Sequence, residues 1–294
     1  MLLRVHPWFK IMYWHCGKYR LELGRQTYIL GIVNATPDSF SGDGTSSRKA
    51  VERGLQMIED GAHLLDIGGE STRPGSEPVG LDEELRRVLP VVEGLAGAGV
   101  PLSVDTTKSE VARRAIEAGA SVVNDISGAT FDSQMLPICA EFDCGVILMH
   151  LRQTPQTMGW SRSPQVQRGD VVEEVLSFWR ERLEAARSIG LAGERLCFDA
   201  GFGFGKSVEE NLELIRRGRE LAAFGFPTLS GTSRKSTIGR ILDGAPVEER
   251  LFGTAATVAL AIQSGADLVR VHDVRAMAQV AHVADAVCRE RFFG

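Results

Sequence analysis

DGAHLLDIG, residues 60–68, has two counterparts later in the chain: AGASVVNDIS at 118–127 and SGADLVRVHD at 264–273. In each phrase a glycine ends a helix-compatible stretch, and an apolar run of strand length opens within two residues. The run then ends on polar residues, which marks where the strand emerges into a loop. Internal repetition of this kind indicates a unit used many times over.

Working outward, the same helix–glycine–strand–polar-end pattern covers most of the chain. YILGIV leads to Asn34, PLSVDT to a helix over 108–118, and SVVNDIS to a helix near 134–141. GVILMH leads through a long polar loop to a helix over about 170–188. RLCFDA leads to a helix near 208–222, PTLSG and the loop TSRKSTIG to a helix over 247–263, and DLVRVH to a final helix. Helices are also expected over 48–59 and from Asp82. Ser207 is placed to cap the helix that starts at Val208.

Eight such units with nearly continuous apolar strands require a parallel sheet covered by helices. The size after the N-terminal segment suits a closed (β/α)₈ TIM barrel, with an open doubly wound sheet as the alternative. The expected organisation is an N-terminal segment, 1–27, holding a β-hairpin with turns at Gly17 and Gly24, followed by one barrel over 28–294. The hairpin would serve as a lid or a bottom layer.

The 294 residues are 44% hydrophobic and 24% charged, with a net charge of −5. A mildly acidic chain without a basic run gives no electrostatic reason to expect nucleic acid or an anionic membrane as partner. Five cysteines without a C-x-x-C pair favour reduced thiols and a cytoplasmic setting. No apolar run is long enough to span a membrane, and the start of the chain lacks the pattern of a signal peptide. The helix around TAATVALAI, 254–262, is apolar on nearly every face, so it is either buried within the protein or packed against another subunit.

In a barrel the C-terminal strand ends meet on one face. Here they supply Asn34, Asp66, Asp105, Asn124 with Asp125, His150, Asp199, the run Ser233–Ser236, and Arg270 with His272. Any one alone is better read as a turn former or a satisfied core polar group, but convergence from nearly every strand is not turn chemistry. Asp105, Asn124 and Asp199 suit a planar ring rich in N–H groups, with Lys235 donating to a ring oxygen or nitrogen. Arg270 and His272 suit an anion, and Arg73 adds positive charge. The glycines at 201, 203 and 205 alternate with Phe202 and Phe204, which reads as a loop able to change shape while laying aromatic surface over something flat.

The segments GIVNATPDSFSGDG, DIGGESTRPGSEPV, SVDTTKSEVARRAIEAGASVVNDISG, LMHLRQTPQTM, FDAGFGFGK, SRKSTIG and RVHDV resemble the dihydropteroate synthase family, in order, from about Trp14 to the C-terminus. The resemblance implies a (β/α)₈ barrel, usually a homodimer. It also implies a Mg²⁺-dependent transferase of folate biosynthesis that joins 6-hydroxymethyl-7,8-dihydropterin diphosphate to 4-aminobenzoate and releases diphosphate. At matching positions Asp105, Asn124, Asp199 and Lys235 would hold the pterin. Met149 would pack on the ring, Arg270 would stack beside it, and Val271 would lie between Arg270 and His272 along the same substrate. Asn34 would touch the metal, while Thr72, Arg73, Arg270 and His272 would serve the diphosphate. Thr72, Pro74, Phe204 and Ser236 would frame the aminobenzoate.

The catalytic set would be Asp105, Lys235, Arg270, His272 and Arg73, acting in a dissociative substitution with no strong general base. Loop groups Asp38, Asp43, Thr72 and Arg73 would gather around Mg²⁺ and diphosphate. Departures from the family pattern are Ala35, Gln153, Ala200 and Thr232. Three rival readings remain: a pterin-binding methyltransferase that hands a methyl group to a corrinoid, a Schiff-base aldolase using Lys235, and an inactive barrel that only binds.

Overall fold

The computed structural model describes residues 11–35, 45–72, 75–154, 157 and 169–289. Arg73, Pro74, Asp38 and Asp43 lie outside these residues. Two short strands, β1 (Met12–Cys16) and β2 (Tyr19–Leu23), pair antiparallel with Cys16 opposite Tyr19. Gly17 makes the tight turn at φ +57°, a conformation that carries little penalty only without a Cβ.

Eight strands follow: β3 (Tyr28–Asn34), β4 (Leu64–Gly68), β5 (Leu102–Asp105), β6 (Val122–Asp125), β7 (Gly145–Met149), β8 (Leu196–Asp199), β9 (Thr228–Ser230) and β10 (Leu268–Val271). All pair in parallel with their sequence neighbours, and β10 pairs back to β3, so the barrel is closed and the open-sheet alternative is excluded. The helices are α1 (Thr45–Glu59), α2 (Leu81–Leu95), α3 (Ser109–Glu117), α4 (Met135–Glu141), α5 (Val171–Ser188), α6 (Val208–Arg216), α7 (Gly218–Ala222), α8 (Ser236–Ile241), α9 (Leu251–Gln263) and α10 (Val274–Cys288).

Three details differ from the sequence expectation. The helix expected over 208–222 is broken at Arg217 into α6 and α7. Gly218 sits where a Cβ would come within 2.8 Å of Ser264, so the chain turns there to pack closely on the end of α9. The helix expected from Val247 begins only at Leu251, after a single 3₁₀ turn. The six-residue α8 inside the SRKSTIG loop is too short to show apolar periodicity.

Period-two alternation along the strands explains both core and site. Residues facing out, such as Ile67, Val104, Val123, Leu148, Phe198, Val269 and Val271, pack under the helices in one continuous apolar cluster. A second cluster, separate from the first, contains Leu30, Leu64, Val122, Ile147, Cys197, Leu229 and Leu268, and these plug the lower barrel. Trp14, Cys16 and Leu23 of the hairpin belong to that second cluster, and Trp14 Nε1 donates to the Arg195 carbonyl at 2.8 Å. The hairpin is therefore a bottom layer. Truncating the fully buried Trp14 to alanine would cost about 3–5 kcal/mol of stability.

Candidate active site

Two residues above the apolar plug, the same inward-facing register turns polar. Leu64 is followed by Asp66, Val122 by Asn124, Cys197 by Asp199 and Leu268 by Arg270, while Ile147 is followed by the apolar Met149. The seventh position of each repeated phrase is thus Asp66, Asn124 and Arg270, and the last two both bond to the first. Arg270 Nε donates to Asp66 Oδ2 at 2.6 Å, and Asn124 Nδ2 donates to the same oxygen at 3.0 Å. The other arm of the Arg270 fork donates to Asp105 Oδ2 at 2.7 Å.

Burial sets the charge states. It pushes Asp105 up to about 7, helped by Asp66, Glu84 and Asp125 and opposed by Arg270. Asp199 is also raised by burial, against the N–H of Gly201, which donates to Asp199 Oδ1 at 2.7 Å. Lys235 is pushed down to about 7 by burial, opposed by Asp199 and Asp105. A carboxyl and an amine that change charge near neutrality, beside a second carboxyl shifted upward by burial, in one strand-end cluster mark a site built for a ligand.

One wall is apolar: Met149, Ile126 and Phe204 pack together, with Leu151 against them. Lys235 Nζ lies 3.8 Å from the centroid of the Phe204 ring, which joins this wall to the polar cluster. Ser236 begins α8 directly after Lys235. Thr72 and Asp105 both line an adjoining cavity of about 280 Å³. Lys108 bridges Glu70 at 2.6 Å and Glu84 at 2.5 Å beside it.

His272 enters as a neutral donor. Burial, with Arg270 and Arg234 nearby, holds its pKa down at about 3. Ser233 Oγ accepts from the His272 backbone N–H at 3.2 Å and lies 3.0 Å from Nδ1. With the hydroxyl proton directed to Nδ1, the ring proton sits on Nε2, where it can donate to an anion. Arg234, at φ +57°, is committed to a bidentate pair with Asp273.

Some strand-end residues are not brought into the site. Asp125 accepts from the backbone and hydroxyl of Ser127 and is a turn former. His150 is buried, with Nε2 3.5 Å from Glu174. Val271 has its side chain in the outer apolar cluster, so only its backbone is available to a substrate in the barrel mouth. Asn34 is exposed at the end of β3. The glycine loop read as able to change shape is instead pinned and buried. Its φ values of +67°, +85° and +68° at Gly201, Gly203 and Gly205 serve close packing: a Cβ on Gly201 would fall 1.9 Å from the His150 carbonyl. Of the departures from the family pattern, Thr232 is buried and its hydroxyl accepts from Thr257 at 2.9 Å, which satisfies the added polar group.

Sequence reasoning passed over two residues of the site. Asp66 stood among the strand ends but received no role, although the repeat register singles it out. Lys206, 1% exposed, is the other, and nothing in its local sequence signals burial.

The family model for "Pterin binding enzyme" matches residues 30–272, the whole span from the first barrel strand to His272. The dihydropteroate synthase of Synechocystis sp. is 47% identical over 276 residues, covering 93% of this chain and 94% of the relative. The chain belongs to the dihydropteroate synthase family. Solved members superpose closely. The Xanthomonas albilineans dihydropteroate synthase, determined with 4-aminobenzoic acid, is 43% identical with a TM-score of 0.86, covering 95% of this chain and 98% of that one. The Burkholderia cenocepacia dihydropteroate synthase, complexed with 7,8-dihydropteroate, is 40% identical with a TM-score of 0.84, covering 96% and 99%.

Proposed function

We propose that the chain is a transferase that condenses 6-hydroxymethyl-7,8-dihydropterin diphosphate with 4-aminobenzoate to give 7,8-dihydropteroate and diphosphate. The observation that carries this reading is the inward ring of Asp66, Asp105, Asn124, Asp199, Lys235 and Arg270 at the barrel mouth. Asp105 and Asp199 accept ring N–H groups. The amide nitrogen of Asn124 is committed to Asp66, so its oxygen is the atom that meets the ring. Met149 and Phe204 cover the faces of the rings, and Thr72, Pro74 and Ser236 complete the aminobenzoate end.

Diphosphate departs as its charge is met by Arg270, Arg73 and the Nε2–H of His272. As the C–O bond breaks, the methylene carbon becomes electron-poor and shares positive charge with the pterin ring. The buried carboxylates of Asp105 and Asp199 stabilise that cation in a low-dielectric setting. The weakly basic aromatic amine then attacks without a dedicated base, and its extra proton leaves to solvent or to the departing diphosphate.

Among the described residues no group of three or more His, Cys, Asp or Glu side chains is arranged to hold a metal. Mg²⁺ needs no such group when it travels on phosphates, since it keeps several waters and takes only one or two protein ligands. Asn34, an exposed residue at the C-terminal end of β3 whose amide oxygen is a hard neutral donor, can supply one such ligand from the rim of the barrel. When bound, the ion neutralises diphosphate charge and improves the leaving group.

A homodimer is the reading supported by α9 and α10, which leave an apolar groove with Phe252 85% and Val287 76% exposed. Self-complementary burial of this surface on a second copy removes it from water. The cysteines are all unpaired and no helix among the described residues is long and apolar enough to cross a membrane, which supports a reducing cytoplasm.

The test is product formation. Incubation of both substrates with Mg²⁺ should yield 7,8-dihydropteroate and diphosphate in equal amounts, with no methyl transfer to a corrinoid and no borohydride-trapped adduct at Lys235. Covalent trapping at Lys235 would favour the aldolase reading instead.

A further inference from the structure

Lys206 has no place in the reaction just described, yet at 1% exposure it is the most completely buried lysine or arginine among the described residues. Its Nζ donates to the Gly201 carbonyl at 2.9 Å and to the carbonyls of His150 and Phe204 at 3.4 Å each. One amine directed at three carbonyls matches the three donors of an ammonium group. Two of the carbonyls belong to the glycine loop and the third to the end of the neighbouring strand β7, so the loop is wrapped around its own lysine and tied to the barrel wall.

The surrounding bonds extend the same clamp. Gly201 N–H donates to Asp199 Oδ1 at 2.7 Å, and Phe204 N–H donates to the Gly201 carbonyl at 3.1 Å. Gly203 N–H donates to Asn211 Oδ1 at 2.7 Å, and the Asn211 amide donates to the Lys206 carbonyl at 3.3 Å and to Thr237 Oγ1 at 3.0 Å. On the outer side Arg152 pairs with Glu174 and Glu210 and closes the space above the loop. At the centre of this arrangement Phe204 is held with its ring over Lys235.

We infer that Lys206 is a positioning residue for aminobenzoate: by binding the Gly201, Phe204 and His150 carbonyls it fixes Phe204 against Lys235 and presets the aromatic wall before substrate arrives. The inference rests on the functional reading above. Asp105 and Asn124 sit on strands with no bond to the loop, and Asp199, on strand β8, meets it through the Gly201 N–H alone, so the effect falls mainly on the second substrate.

Lys206→Met keeps the length and removes the three bonds. It should raise the KM for 4-aminobenzoate at least tenfold, while the affinity for bare hydroxymethylpterin stays within threefold. A general loss of structure would move both or neither. In a Phe204→Ala background, Lys206→Met should add no further change to the aminobenzoate KM, because the lysine acts through that ring. Additive effects, or equal losses for both ligands, would overturn the inference.

Hydrogen exchange in the ligand-free wild-type protein gives a test that needs no variant. The amides of Gly201 and Gly203 should be protected to the same level as strand β8, and complete exchange of the 200–206 segment within seconds would overturn the inference by itself. Absence of turnover in the wild type would instead count against the proposed reaction and leave the exchange result to be read on its own.

Discussion

Replacing Arg270 with methionine separates its structural from its ligand-binding role. The guanidinium joins two buried carboxylates, Asp66 at 0% exposure and Asp105 at 7%, through bonds of 2.6 and 2.7 Å. Removing one partner of a buried ion pair typically costs about 3–5 kcal/mol, because the remaining charge is left uncompensated. For a chain of this size each kcal/mol corresponds to roughly 2–4 °C, so Arg270→Met should lower Tm by about 6–20 °C at pH 8.

The sign of the pH dependence follows from Asp105. Its folded pKa already lies above the unfolded value, and loss of Arg270 raises it further. A carboxyl raised in the folded state favours folding at low pH, and that contribution is lost as pH rises from the unfolded pKa toward the folded one. The gap between variant and wild type should therefore be smaller at pH 5 than at pH 8. Adding Asp66→Asn to the variant should restore about 1 kcal/mol or more, as expected for residues in one network. Thermal denaturation at the two pH values reads all of this. A variant within about 2 °C of wild type at pH 8, less than 1 kcal/mol on this scale, would show that the Arg270 bridge does not hold the site together.

Three further outcomes follow from the same geometry. Pterin binding should be bell-shaped around neutral pH, weakening up to about tenfold per unit below the Asp105 pKa and again above the Lys235 pKa. Lys235→Arg should remove the alkaline limb in calorimetric titrations, and an unchanged limb would assign it to another group. With Mg²⁺ and diphosphate bound, 4-aminobenzoate should bind at least tenfold tighter, about 1.4 kcal/mol of coupling, and equal affinity in both states would mean the subsites are independent. Phe252→Glu or Val287→Glu should convert a dimer to a monomer in light scattering at micromolar protein, whereas a monomeric wild type would reject the groove as a subunit contact.

The barrel was legible because its evidence is periodic. Three near-copies of one glycine-to-strand phrase, and apolar strands of regular spacing, define a parallel sheet before any contact is known. What escaped was set by packing at single residues: the break before Gly218, which depends on Ser264 approaching from another helix, and the short α8 inside a polar loop. The site was legible as a set of strand ends, yet not as a network. Asp66 looks like any other strand-end acid until Arg270 and Asn124 are seen to converge on it. Lys206 escaped because a lysine after a glycine loop is ordinarily solvated, and only the folded loop supplies the three carbonyls that bury it. The neutral state of His272 is set by burial and two nearby arginines, which cannot be read from its neighbours in sequence.

The central claim is that the buried carboxylates read the pterin ring, and Asp199 tests it most directly. Asp199→Asn keeps the shape of the side chain and replaces one acceptor oxygen with a donor. The mismatched contact costs roughly 2–4 kcal/mol, or about 30- to 1000-fold in affinity. Calorimetric titration of hydroxymethylpterin into the folded variant should show that loss with little change in Tm. An unchanged pterin affinity in a folded Asp199→Asn protein would contradict the account.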